Sequence, residues 1–186
     1  MKKILIIICT ILASTQVQAQ IKEKAIDVSI GLGLSAPYDG YDIMGTGFYA
    51  QGEYVLSLNN WVDLRPYAGV ILTKVREEDI DQYRPELRSI ANAFLFGGKA
   101  RFTVPIPWIA PYVELGIGGS VGSFETYTLD TTLEDNGFLV HIPFSLGLEL
   151  GPRHNVNIEF TYYYHKSVQQ YAGAAAFGLT FPIGND

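Results

Sequence analysis

Eight stretches of this chain alternate apolar with small or polar residues at a period of two, and the apolar stripe carries no charge in any of them. They fall at about 25–35, 46–58, 61–74, 91–104, 109–123, 137–150, 155–166 and 172–183. A period of two is the pitch of a β-strand, whose successive side chains point to opposite faces. In "FLVHIPFSLGLEL" (138–150), Phe138, Val140, Ile142, Phe144, Leu146, Leu148 and Leu150 share one face, with Leu139, His141, Pro143, Ser145, Gly147 and Glu149 on the other. Nothing between the runs reads as a helix of normal length, so the fold class is all-β. What remains is which face meets water.

The second stripe carries the charges: Asp27, Glu53, Asp63, Arg65, Lys99, Arg101, Glu114, His141, Glu149, Glu159 and His165, spaced by Gly, Ser, Thr and Ala. If that stripe faced solvent, as in a secreted soluble barrel of the lipocalin kind, the last run would show water Ala172, Ala174, Ala176, Gly178 and Thr180. That is a poor solvent face. It suits the inside of an eight-stranded barrel, which has only enough room for side chains to fill it. Small residues on some strands then make space for long charged ones on others. Arg65, Lys99 and Arg101 against the carboxylates allow buried charges to pair, as a low dielectric demands. The apolar stripe is therefore placed on lipid, and Glu53, Asp63, Arg65, Lys99, Arg101, Glu114, His141, Glu149 and Glu159 are expected to form an interior polar network. Glu53 and Arg65 should be direct or diagonal neighbours across the second hairpin.

The connections support the same reading. Those after the second, fourth and sixth runs are short ("NN", "PIPW", "GPRHN"), and those after the first, third and fifth are longer ("PYDGYDIMG", "VREEDIDQYRPELRS", "ETYTLDTTLEDNG"). Short turns on one rim, long loops on the other, an even strand number and both termini on the short-turn side make the layout of an eight-stranded antiparallel up-and-down transmembrane barrel. Trp61 and Trp108, the only tryptophans, stand at short turns, and Tyr41, Tyr127 and Tyr162 to Tyr164 near the long-loop ends, as interfacial girdles require. Parity, however, turns Trp61 inward.

The chain opens "MKKILIIICTILASTQVQAQIKEK": two lysines, a short apolar core, then small residues at Val17 and Ala19. That is the order of a secretory signal cut after Ala19. The apolar run Ile4 to Ala13 is far short of the roughly 20 residues a membrane helix needs. Residues 20–186 then make one barrel domain. The single cysteine, Cys9, lies inside the signal core, so the mature chain has no disulfide framework. Losing Lys2 and Lys3 takes the net charge from −6 to −8, which argues against a nucleic-acid partner.

On these features the chain resembles the small eight-stranded outer-membrane barrels of Gram-negative bacteria, the OmpA transmembrane domain, OmpX and OmpW group. The resemblance spans essentially the whole mature chain. The last strand, "AAAFGLTFPI", is similar to the aromatic-ended signal read by the outer-membrane assembly machinery, although Phe181 is followed by Pro182, Ile183 and "GND". The resemblance implies an integral outer-membrane protein, monomeric, with periplasmic termini, surrounded by outer-membrane lipid and lipopolysaccharide. Its role would be structural or adhesive, with a ligand of unknown identity at the extracellular loops. The OmpW-like members imply a second reading, porin-like transport of a small solute.

A third reading, a lipid A-modifying enzyme, is tested by one motif. Lipid A deacylases carry His-x-Ser-Asn near the outer end of a late strand with a glutamate about a dozen residues on. Here "YYYHKSVQQY" offers His165 and Ser167, but Val168 replaces the Asn, and no Asp or Glu intervenes before Asp186. Without an acid to orient the imidazole the triad fails unless Glu159 substitutes from elsewhere, and no catalytic residues are expected. Glu77, Glu78, Asp79 and Asp81 read as a solvated acidic loop rather than a calcium site. His141 and His165 stand apart in the chain and lack a Cys or third His, so neither a metal nor a cofactor is expected.

Overall fold

The computed structural model describes residues 22–38, 43–75 and 87–183. The signal segment, Tyr41 and the acidic cluster at 77–81 lie outside them. The described residues form eight strands: β1 (Glu23–Pro37), β2 (Gly45–Asn59), β3 (Val62–Val75), β4 (Arg88–Thr103), β5 (Trp108–Tyr127), β6 (Thr132–Gly151), β7 (Val156–His165) and β8 (Gln170–Pro182). Each pairs antiparallel with its chain neighbours, and β1 pairs with β8 to close the barrel. Leu34 pairs with Gly173, and the hydrogen-bonded rungs then run through Tyr162, Phe144, Leu115, Ala100, Leu64 and Leu56 to Lys24, ten residues below the start. This stagger is what tilts the strands of a closed barrel.

The apolar stripe lies outside. Ile30, Ile117 and Phe138 are 58, 67 and 62 % exposed, within a continuous belt that includes Phe48, Leu72, Phe94, Val140, Leu146, Phe160 and Phe177. An apolar surface of this extent is not found on monomeric soluble proteins. The buried side chains of the strands lie on the inward stripe, so the lumen is the core.

Two features depart from the sequence expectations. The segment 124–136, expected as a long loop, is mostly strand: β5 and β6 each extend 20 residues and meet in a turn over Thr128–Thr131, closed by the Thr128 amide donating to the Thr131 carbonyl at 2.7 Å. Hydropathy alternation missed the extension because its outward face turns polar, with Glu125, Glu134 and Asn136 where lower positions are apolar, and backbone pairing marks it as sheet. The upper part of β6 pairs with β5 alone, since its ladder to β7 covers only Ile142 to Leu150. The second departure is Trp61. A register shift between Ser57 and Asn59 ends the parity there, and Asn59 Oδ1 accepts from the amides of Trp61 and Val62, both at 2.9 Å. Trp61 thus lies in the turn, 56 % exposed at the mouth of the lumen rather than packed inside it, and Trp108, 65 % exposed, sits on the same rim.

The outward position of Phe96, in ring contact with Phe94 and Phe138, generates a test. Phe96→Arg should cost roughly 2 to 4 kcal/mol near the bilayer midplane and lower the folded fraction in membranes, read by heat-modifiable electrophoretic mobility. Phe96→Leu should fold as the parent does.

Candidate functional site

The lumen is the candidate site, built in two layers. In the layer nearer the short turns, inward positions on β1 to β7 converge as charges. Arg65 reaches Glu53 at 3.1 Å, Asp63 at 3.1 Å, Asp27 at 3.4 Å and Glu149 at 3.4 Å. Glu53 and Arg65 are diagonal across the hairpin, because Glu53 stands opposite Tyr67. Lys99 is held between Glu53 and Glu114, the latter at 2.6 Å. Arg101 reaches Glu114 at 2.6 Å and Glu149 at 2.7 Å, with its guanidinium 3.6 Å from the Tyr112 ring centroid. Arg65, Lys99, Arg101, Glu53, Glu114 and Glu159 are all buried, while Asp63 and Glu149 are part-buried at the edge of a cavity. That cavity, about 490 Å³, opens at the short-turn end and is lined by Asp63, Arg65, Glu149, Arg153 and Thr180 among others.

Above the charges lies a layer of buried Tyr, His, Ser and Gln. Tyr163 donates to Gln51 Oε1 at 2.6 Å, Tyr49 bonds the Tyr163 hydroxyl at 2.9 Å, and Gln51 donates to Glu53 at 2.8 Å, which ties the layers together. Ser120 touches both imidazoles, His141 Nδ1 at 2.6 Å and His165 Nε2 at 2.8 Å. Hydrogen-bond logic sets the proton positions for neutral rings. The Tyr163 carbonyl only accepts, so His165 Nδ1, 3.1 Å away, carries the proton and its Nε2 accepts from Ser120. Ser120 has one proton, so it accepts from His141 Nδ1–H, and His141 Nε2 accepts from Tyr67 at 2.5 Å. The chain runs in one direction from Tyr67 to the Tyr163 carbonyl. Glycines make room for it: a Cβ on Gly118 would collide with the Tyr67 hydroxyl and come within 2.5 Å of His141 Nε2. Toward the long-loop rim, Phe124 packs on His165 with centroids 4.6 Å apart. Gln170 donates to Ser89 at 2.8 Å, and Thr126 donates to the Val168 carbonyl at 3.0 Å.

All nine residues singled out from sequence face the lumen: eight fall in the charge layer and His141 in the layer above. Sequence reasoning passed over Tyr49, Tyr67, Tyr112, Tyr163, Gln51, Ser120 and Asn157, which the same parity would have marked as inward. Tyr163 also leaves the expected outer girdle, where only Tyr162 and Tyr164 point out. His141 and His165, apart in the chain, stand on adjacent strands.

The deacylase motif does not assemble. His165 points into the lumen with both ring nitrogens engaged by Ser120 and a backbone carbonyl, while Ser167 lies exposed in the β7–β8 turn.

No protein-family model matches the sequence, and no curated protein sequence matches it either. Solved structures do. Neisserial surface protein A superposes with a TM-score of 0.60 at 10 % identity, covering 86 % of this chain and 97 % of that one. The outer membrane enzyme PagL gives 0.50 at 16 % identity, over 84 % and 99 %. Ail, the attachment invasion locus protein of Yersinia pestis, gives 0.48 at 20 % identity, over 87 % and 99 %. The chain is thus a closed eight-stranded barrel with the fold of the small outer-membrane barrels. That fold carries both enzymes and other surface proteins, so function has to be argued from the lumen and surface of this chain.

Two tests follow from the site. Arg65→Met strips Asp27 and Glu53 of their shared guanidinium and should destabilise the barrel by about 3 to 5 kcal/mol, less where water enters. Glu53→Arg with Arg65→Glu should recover only part of the loss, because the new Arg meets Lys99 and Arg101; chemical denaturation of the refolded variants measures both. Ser167→Ala should leave lipopolysaccharide acylation, followed by mass spectrometry of lipid A, the same as with the parent.

Proposed function

We propose that this chain is an integral protein of the bacterial outer membrane, delivered by a signal peptide cleaved after Ala19, and that its role is structural or adhesive. The carrying observation is the pairing of an apolar outer belt with a lumen occupied by buried ion pairs and aromatic side chains. A barrel so filled contributes through its outer wall and ends. Outer-membrane lipid and lipopolysaccharide contact the belt, and the assembly machinery inserts the chain as a monomer with periplasmic termini. A ligand binds the outer loops. Among the described residues the β5–β6 hairpin has the longest strands on that side and carries Asp130, Glu134 and Asp135, which favours a partner with a basic surface.

Transport of a small solute is the second reading, favoured by the cavity at the short-turn end. Planar-bilayer recording separates the two. The structural reading expects no steady wide pore from the purified protein, whereas a large stable conductance would replace it with transport. Fractionation checks the location: the mature chain should appear in outer membranes with residues 1–19 removed, and its recovery as a detergent-free soluble protein would refute the membrane assignment.

A further inference from the structure

Glu159 stands outside the ion-pair network that surrounds it. Among the described residues the lumen holds carboxylates from Asp27, Glu53, Asp63, Glu114, Glu149 and Glu159 against the bases Arg65, Lys99 and Arg101. Asp63 and Glu149 border the open cavity, where water screens them. Six acids face three bases, and because Arg65 and Arg101 are also shared with Asp63 and Glu149, the deeper acids keep at least one uncompensated negative charge. The contacts show where it resides. Asp27, Glu53 and Glu114 each touch at least one base, whereas no Lys or Arg nitrogen lies within ion-pair distance of Glu159. Glu159 is 2 % exposed, and Tyr112 donates to its Oε2 across a long 3.4 Å. Its Oε1 has no partner, and neither has Asn157 Oδ1, two residues back on the same inward stripe. An unpaired carboxylate at this depth demands a compensating positive charge, either a bound cation or a proton.

The oxygens around it identify the chemistry. One carboxylate oxygen each from Glu53, Glu114 and Glu159 lie within 4.8 Å of one another. With the Tyr112 hydroxyl on Glu159 and the unpartnered Asn157 Oδ1 two residues back on the same stripe, the unengaged polar atoms are oxygens, the ligand type that hard cations take. Because Lys99 already sits against Glu53 and Glu114, a monovalent ion meets less repulsion there than a divalent one. We propose that the lumen binds one alkali cation, sodium or potassium, at Glu159, sharing the oxygens of Glu53 and Glu114 with the Lys99 ammonium. The way in is polar. Thr180 lines the open cavity and donates to Asp27 at 2.8 Å, and Asn157 donates to the same oxygen at 2.7 Å, placing Asn157 between the cavity and Glu159.

The experiment is thermal unfolding of the purified mature protein in detergent, by circular dichroism, in sodium, potassium or N-methylglucamine chloride at equal ionic strength and pH. The unfolding constant should fall about tenfold for each tenfold rise in alkali cation above its dissociation constant, the slope of one site. Glu159→Gln should abolish that dependence and unfold no lower than the parent in N-methylglucamine, since the uncompensated charge is gone. A parent insensitive to the cation, or an equal slope in Glu159→Gln, would overturn the proposal. So would stability that rises on acidification instead, with the rise lost in Glu159→Gln, since a proton would then be the compensating charge. Thallium(I) NMR on the parent keeps the test open if Glu159→Gln fails to fold: a bound resonance displaced by potassium and weakened by Asn157→Ala is expected, and its absence would refute the site.

Discussion

Closure of β1 onto β8 is the constraint on which the rest depends. In hydrocarbon no water satisfies a free backbone N–H or C=O, so a sheet can cross a membrane only if it has no edge. Eight strands with a ten-residue stagger close into a barrel whose lumen is barely wide enough for side chains. The interior then has to be packed by the residues that point into it, and these are polar because the apolar stripe is committed to lipid. The hydropathy order of a soluble protein is inverted, and charge becomes the core material.

A polar core of this kind is stable only if its members satisfy each other. Arg65 and Arg101 suit the task because a planar guanidinium offers several donors in a fixed fork and can bond several carboxylates at once. Lys99, a point charge, sits where Glu53 and Glu114 approach from two sides. The small residues are equally necessary: Gly97 and Gly118 leave the space that Tyr67 and His141 occupy, and Gly147 lies against the Tyr112 ring. Breaking a buried pair is expensive although forming it contributes little net energy, so the network holds the barrel to one arrangement more than it adds to total stability. The layered order, charges below and a directional Tyr–His–Ser–His chain above, leaves solvent access to the charge layer chiefly from the short-turn end.

The surface divides by the same logic. The belt is uniform and apolar because lipid tails offer nothing to recognise, and specificity is left to the rims. At the short-turn rim both tryptophans are exposed, and Trp61 borders the mouth of the cavity. At the other, the extended β5–β6 hairpin carries Asp130, Glu134 and Asp135 while its inward Phe124, Thr126 and Thr128 stay buried, and Tyr38 stacks on Tyr164 and leans on Tyr171.

By itself the sequence determined the strand number, the parity of nearly every residue and hence the composition of the lumen, because a period of two needs no tertiary information to be read. It failed at Trp61, where a bulge beside the turn breaks the period. It failed again over 124–136, where the outward positions Glu125, Glu134 and Asn136 are polar and the apolar stripe that marks the other strands stops. What only the tertiary structure decided is which inward residues meet. The stagger brings Arg65 on β3 to Glu149 on β6, and Ser120 on β5 between His141 and His165, contacts across the lumen that depend on closure and tilt. Glu159 makes the same point: parity places it inside beside other charges, but only the closed barrel shows that each neighbouring base is already engaged by another acid.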